Sequence, residues 1–187
     1  MMRVLVPCLA LTVAACGGES TRDSAAATGE VEMRNASVVD VAEQARAASA
    51  ATRFQPGQWR STVEVVDVQV PGMPEGMAEQ MRQQMMSRSS VTSCMTEEQS
   101  ANPSESLFGG QRGQCRFDRF SMKAGRVDAV MTCAGDGRAI EAARITMTGT
   151  FDATHFETES AIESTGGERG RMSMRSRVKG ERIGDCA

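Results

Sequence analysis

Residues 115–133 read CRFDRFSMKAGRVDAVMTC, and this stretch carries the clearest indication of the fold. Apolar and polar side chains alternate on both sides of a turn at residues 123–126, which is typical of an antiparallel hairpin with one buried face. The alternation breaks at Asp118-Arg119, so we expect one bulged residue there. The predicted cross-strand pairs are then Met122 with Val127, Phe120 with Ala129, Phe117 with Met131, and Cys115 with Cys133. This register predicts a disulfide bond across the hairpin.

The same alternation extends from Trp59 to Arg182 and predicts a chain made mostly of strands. The predicted strands are residues 59–70, 90–95, 115–123, 126–133, 138–151, 155–164 and 171–182. A change of phase at Val65-Val66 indicates a second bulge. We therefore predict a mainly β fold, an antiparallel up-and-down meander that forms a barrel or half-barrel, with one Met-rich helix between the first two strands.

Charges suggest the register of the last two strands. The predicted inward pairs are Phe156 with Val178, Thr158 with Ser176, Ser160 with Met174, and Ile162 with Met172. The outward pairs are then Glu157 with Arg177, Glu159 with Arg175, and Glu163 with Arg171. Opposite charges face each other in all of these outward pairs, which disfavours mispairing. We favour a solvated charge ladder over the alternative, a patch that binds an anionic ligand.

Methionines mark the one strong helix candidate of the β domain, at residues 75–87. The methionines at i, i+4 spacing are Met73, Met77, Met81 and Met85, with Met86 beside them. They share one helical face, for which three interpretations are open: packing on the sheet, a lid over an apolar cavity, or Cu(I) binding by thioethers. Packing is the interpretation we favour.

Composition excludes several classes of protein. The chain has 187 residues and a formal net charge of −3, so it lacks the basic excess of a nucleic-acid binder. No apolar run reaches the roughly 18 residues of a membrane-spanning helix. The single histidine, His155, falls at a predicted turn without a nucleophilic serine motif nearby. We therefore expect no enzyme, no cofactor and no metal site.

The first residues indicate a targeting segment. Arg3 precedes a largely apolar stretch from Val4 to Ala15, and Val13-Ala14-Ala15-Cys16 resembles the lipobox of bacterial lipoproteins. That resemblance implies lipidation of Cys16, anchoring in the cell envelope, and an outer-membrane location facing the periplasm. An ordinary cleaved signal with a chance cysteine is the alternative.

Cysteines divide accordingly. Cys8 belongs to the leader and Cys16 to the anchor. The cysteines left for the domain are Cys94, Cys115, Cys133 and Cys186. An even number in an oxidising compartment predicts two disulfides, and of three possible pairings the hairpin register favours Cys115 with Cys133. Cys94 and Cys186 then pair by elimination, and no C-x-x-C spacing supports a zinc site instead.

Three segments result from these assignments. Residues 1–15 are the predicted lipoprotein signal peptide, residues 16–54 a lipid-anchored tether, and residues 55–187 a disulfide-stapled β domain. Small and polar residues dominate positions 17–35, which favours a flexible chain. A short helix within the tether begins after Ser37.

Several motifs together resemble one bacterial family. They are Gly57-Gln58-Trp59, the Pro71-Gly72-Met73-Pro74 segment with its Met-rich helix, Thr92-x-Cys94, Cys115, Cys133, and the ending Arg182-Ile183-Gly184-Asp185-Cys186. Over residues 55–187 the chain resembles the domain-of-unknown-function family numbered 3617. The resemblance implies a small exported protein, often lipid-anchored, and carries no catalytic residue.

Gly57-x-Trp59 with Arg182 is also similar to the lipocalin pattern, in which an arginine packs over a tryptophan at the closed end of a barrel. The alternative is that Trp59 is a core residue and Arg182 a surface charge. Two functional hypotheses follow. One is a binding module for a small apolar or amphipathic ligand, contacted by Trp59, Arg182 and the methionines. The other is a structural or partner-binding envelope protein.

Overall fold

A computed structural model describes residues 19–48, 53–86, 88–101, 115–135, 142–166 and 171–186. The described helices are α1 (Glu19–Thr28), α2 (Val38–Ala48), α3 (Glu75–Met85) and α4 (Glu97–Ala101). The described strands are β1 (Val31–Ser37), β2 (Gly57–Gln69), β3 (Arg88–Met95), β4 (Cys115–Lys123), β5 (Arg126–Ala134), β6 (Ala142–Phe151), β7 (His155–Thr165) and β8 (Met172–Gly184). None of the helices in these ranges is both long and apolar enough to cross a membrane.

The strands form one antiparallel sheet in the order β1-β4-β5-β6-β7-β8-β2-β3. The predicted fold class is confirmed, with α3 between the first two strands of the β domain, β2 and β3. The two edges, β1 and β3, do not pair with each other, so the sheet is an open half-barrel rather than a closed barrel.

The β4–β5 hairpin has the predicted register. Cys115 lies opposite Cys133, and the pairing shifts by one residue at Asp118, where the bulge was expected. Ala124 and Gly125 make the turn with φ angles of 49° and 71°, which are typical of the tight turns that match the twist of a hairpin. The disulfide bond between Cys115 and Cys133 is present, with the Cα atoms 3.9 Å apart.

The second disulfide joins Cys94 in β3 to Cys186 after β8, with the Cα atoms 5.6 Å apart. Both predicted pairings are therefore confirmed. The predicted bulge in β2 is also present, because the pairing with β8 shifts between Val65 and Asp67.

The register of β7 and β8 differs from the prediction by two residues. Phe156 lies opposite Gly180 rather than Val178. A Cβ atom at Gly180 would lie 2.0 Å from the Phe156 ring, so the ring occupies the space that only glycine leaves. The assignment of side chains to faces is correct, because a shift of two residues preserves the face.

The prediction of a flexible tether is wrong for residues 19–48, where α1, β1 and α2 are ordered and Ala25 is buried, whereas the short helix predicted after Ser37 is confirmed as α2. β1 pairs with β4, and α2 covers the same side of the sheet, so Val31, Ala36 and Val41 join the buried core. Ser37 and Asp40 form a reciprocal cap at the start of α2, in which the Asp40 N–H donates to Ser37 Oγ at 3.1 Å. Val31 and Met33 alternate as strand residues do, but small and polar residues dominate the sequence around them.

Candidate functional site: the open face of the sheet

One side of the sheet is apolar along its whole width, but only part of it is covered. Under α2, Phe117 and Phe120 of β4 are buried. At the other end of the sheet, no described helix makes an extensive contact with β7 or β8, and Val63 of β2 is 38% exposed. We call this uncovered area the open face. Its side chains, half-buried or exposed, are Val63, Val65, Thr158, Ser160, Ile162, Met174, Ser176 and Val178.

Rows of opposed residues build the open face. Val63 of β2 lies opposite Val178 of β8, which lies opposite Thr158 of β7. The next row places Val65, Ser176 and Ser160 side by side. The Ser160 and Ser176 hydroxyls lie 2.8 Å apart, so each still has hydrogen-bonding capacity for a further group. The face is therefore apolar with one hydroxyl pair near its centre.

An aromatic cluster closes one end of the open face. Trp59 is 1% exposed and its ring stacks on Phe156 with the ring centroids 6.0 Å apart. Phe54 contacts Trp59, Phe151 and Phe156 at centroid distances of 5.5–6.0 Å. The Trp59 indole N–H donates to the Gln55 carbonyl oxygen at 3.0 Å. The Trp59 ring is therefore held by aromatic contacts and by its indole hydrogen bond, and it bounds one end of the open face.

Arg182 lies opposite Trp59 in the pairing of β8 with β2. Its Nε donates to the Pro56 carbonyl oxygen at 2.8 Å, and its guanidinium also pairs with Asp185. Gly57 has a φ of 141° and no room for a Cβ beside this guanidinium, which explains the glycine. Arg182 thus fixes the point at which the chain enters β2. Because the sheet is open, Arg182 and Trp59 do not close the end of a barrel.

The methionines of α3 lie apart from this cluster. Trp59 and Arg182 are at the end of the sheet where β2 begins, whereas α3 follows the end of β2. Met77 is 58% exposed and Met86 is 47% exposed. Met73 and Met81 are half-buried, and the Met85 side chain is outside the described part. The predicted packing of the methionine face on the sheet is therefore wrong at Met77, and the Cu(I) hypothesis stays a prediction.

The opposite side of the sheet is polar and many of its charges form ion pairs. Glu157 lies 3.0 Å from Lys179 and 3.6 Å from Arg177, and Arg60 lies 2.9 Å from Glu181. Glu159 raises the pKa of Arg177 through a hydrogen bond and its charge. The solvated ladder is confirmed, although Glu159 pairs with Arg177 instead of Arg175.

Two grooves on the described surface open on this polar side. The larger, of about 540 Å³, is lined by the Arg60–Glu181 and Glu157–Lys179 ion pairs and by His155. Beside it, the backbone N–H groups of Thr154 and His155 hydrogen-bond to Asp152 and lower the pKa of its carboxyl. Within the described ranges, no cluster of three or more His, Cys, Asp or Glu side chains suits a metal ion.

An open antiparallel sheet, stapled by two disulfides and bare on part of its apolar side, defines the class of this chain as a small disulfide-bonded β domain. Residues 54–186 match the family described as "Protein of unknown function (DUF3617)", and the chain belongs to that family. The resemblance seen in the sequence is thereby confirmed. No curated protein and no solved structure matched the chain.

None of the residues of the open face is among the site residues predicted from the sequence. The alternation predicts that Thr158, Ser160 and Ile162 point inward. In a closed barrel with a filled interior, inward side chains are buried in the core and do not form a binding surface. The structure leaves β1 and β3 apart, with Val63 exposed and Val178 half-buried. Cys16, the predicted lipidation site, lies outside the described residues.

Proposed function

We propose that this chain is an exported, lipid-anchored protein of the bacterial cell envelope whose domain binds a small apolar or amphipathic molecule without catalysis. The observation that carries the proposal is the open face: half-buried or exposed apolar side chains on β2, β7 and β8, of which β7 and β8 make no extensive contact with a described helix. Apolar surface left in water is unfavourable by about 25 cal/mol per Å². A ligand that covers the open face recovers this free energy.

The chemistry of the open face suggests the type of ligand. Five of its eight side chains, Val63, Val65, Ile162, Met174 and Val178, are aliphatic or thioether, which suits a hydrocarbon chain. The Ser160–Ser176 hydroxyl pair supplies polar contacts for one polar group. Among the residues of β2, β7 and β8 on this side, the one charge is Arg182, which is already held by Pro56 and Asp185. An amphipathic molecule with a long alkyl chain therefore fits better than a charged metabolite.

Exposed apolar residues near β2 and β3 favour a second candidate, a protein partner. Val91 of β3 is 62% exposed and Met77 of α3 is 58% exposed. Apolar surface exposed to water is a common feature of contact sites. A partner that docks here would define the chain as a structural envelope protein instead of a carrier.

Anchoring by Cys16 is tested by Cys16→Ala. The variant is expected to move from the membrane fraction to the soluble fraction, because the acyl chains that hold the protein are lost. Cell fractionation followed by immunoblotting measures the shift. An unchanged membrane fraction would contradict the anchor.

Ligand binding is tested with dansylated undecanoic acid on the released Cys16→Ala chain. A further change of Val178→Lys places a charge in the middle of the open face. Fluorescence titration is expected to show at least tenfold weaker binding, about 1.4 kcal/mol.

Val130→Lys is the matched control, because Val130 is a half-buried valine of β5 opposite Arg119, on the polar side. This variant should bind the probe like the parent. Equal affinity of all three proteins, or no binding by the parent, would contradict the proposal.

A further inference from the structure

The two edges of the sheet are built differently. β1 carries the charged residues Glu32 and Arg34, and Asn35 has a φ of 49° and drops out of the pairing with β4. The Arg116 guanidinium donates to the Asn35 side-chain oxygen at 3.0 Å. Charges and backbone irregularities of this kind discourage a further strand from pairing at an edge. The β1 edge is therefore protected.

β3 lacks these protective features, except that its first residue, Arg88, is charged. It pairs with β2 over eight consecutive residues without a register shift, from Arg88 to Met95. The sequence RSSVTSCM has one charge, no proline and no lysine, and residues 89–94 are all exposed. No described strand pairs with its outer side. Its outward N–H and C=O groups form a regular template for one more strand.

β3 is also held in place before any partner arrives. The Cys94–Cys186 disulfide ties it to the end of β8, and β2 pairs with it along its full length. A strand that is already ordered loses little conformational entropy when another strand adds to it. The edge is therefore suited to strand addition.

We propose that two copies of this chain associate through antiparallel pairing of β3 with β3. A two-fold axis perpendicular to the sheet keeps both apolar sides together, so residues of the same side must face each other. The register centred on the strand places Val91 opposite Val91, Ser89 opposite Ser93, and Ser90 opposite Thr92. The one charged residue, Arg88, then takes the register position opposite Cys94 rather than opposite its own copy.

Apolar contact adds to this pairing. Val91 is 62% exposed and is the one branched aliphatic residue of β3. In the two-fold register it packs on its own copy, with Val63 diagonal to it on the same side. Because the β1 edge is protected, a β1-to-β3 contact that would propagate into a fibre is disfavoured, and the self-pairing closes as a dimer.

The test uses the full chain, co-expressed as two copies with different C-terminal tags and purified in detergent. Wild-type copies are expected to co-purify. Val91→Lys in both copies places two ammonium groups opposite each other and should reduce co-purification at least about fivefold. Val91→Glu in both copies should do the same.

Mixing the two variants is the decisive arm. One Val91→Lys copy with one Val91→Glu copy should co-purify like wild type, because opposite charges now face each other. Val39→Lys, at an exposed valine of α2, is the control and should leave co-purification unchanged.

Three results would overturn the dimer. Wild-type copies that do not co-purify contradict it directly. Val91→Lys copies that co-purify like wild type show that shared micelles or another surface hold the copies. Failure of the mixed pair to recover shows that Val91 does not face Val91.

Discussion

Loss of the Cys94–Cys186 disulfide, by Cys94→Ser together with Cys186→Ser, is expected to lower the free energy of unfolding by about 4–5 kcal/mol. The bond closes a loop of sequence separation 92, and a cross-link stabilises by restricting the unfolded chain. Both cysteines are exposed, so little packing is lost with the sulfurs. Denaturant unfolding of the oxidised wild type and of the variant measures the difference.

β3 should loosen first in this variant, because β2 is its one described strand partner. Hydrogen exchange of residues 88–95 is expected to become fast while β4 and β5 stay protected. The matched control is Cys115→Ala with Cys133→Ala, whose sequence separation of 18 predicts about 3 kcal/mol from loop closure. A loss below 1 kcal/mol with unchanged β3 exchange would contradict the role given to this bond.

Gly180→Ala is expected to destabilise the domain by about 2–3 kcal/mol, since overpacking a filled site forces side chains to move. The new Cβ would lie 2.0 Å from Cε1 and 2.3 Å from Cζ of Phe156. Phe156 stacks on Trp59, so the displaced ring disturbs the aromatic cluster. Thermal unfolding and the near-ultraviolet circular dichroism of Trp59 report the change.

Two controls isolate the clash at Gly180. Gly76→Ala in α3 meets open space and should stabilise the chain by about 0.5–1 kcal/mol, because alanine favours a helix. In a Phe156→Ala background the ring is absent, so Gly180→Ala should cost far less than in wild type. Additive losses in the double variant would show that the ring is not what excludes a side chain at Gly180.

The β4–β5 hairpin was predictable to the residue because independent signals agree there. Two cysteines, a tight turn and one break in the alternation each favour the same register, so Cys115 meets Cys133. β7 and β8 lack such agreement. Their glutamates and basic residues repeat every second position, so a slip of two residues still places Glu157 opposite a cation, and Arg177 is exchanged for Lys179. The register is decided by packing, because the Phe156 ring fits only opposite Gly180, which has no side chain.

The open face was harder to predict than the strands that form it. Alternation shows which side chains share a side of the sheet but not what covers them. β1 and α2 cover the β4 end because Val31 and Val41 pack there. The methionines of α3 suggested a cover for the other end, and the structure leaves Met77 in solvent instead. Which elements meet across the sheet depends on tertiary packing, which the local pattern does not contain.

An alkyl chain is expected to bind on the open face. Photolabelling of the released Cys16→Ala chain with a diazirine-bearing fatty acid, followed by peptide mapping, measures this directly. The label is expected within residues 63–65 of β2, 158–162 of β7 and 174–178 of β8, and an excess of unlabelled fatty acid should remove it. Label confined to the polar side, to α3, or spread evenly and unaffected by competitor would contradict the claim.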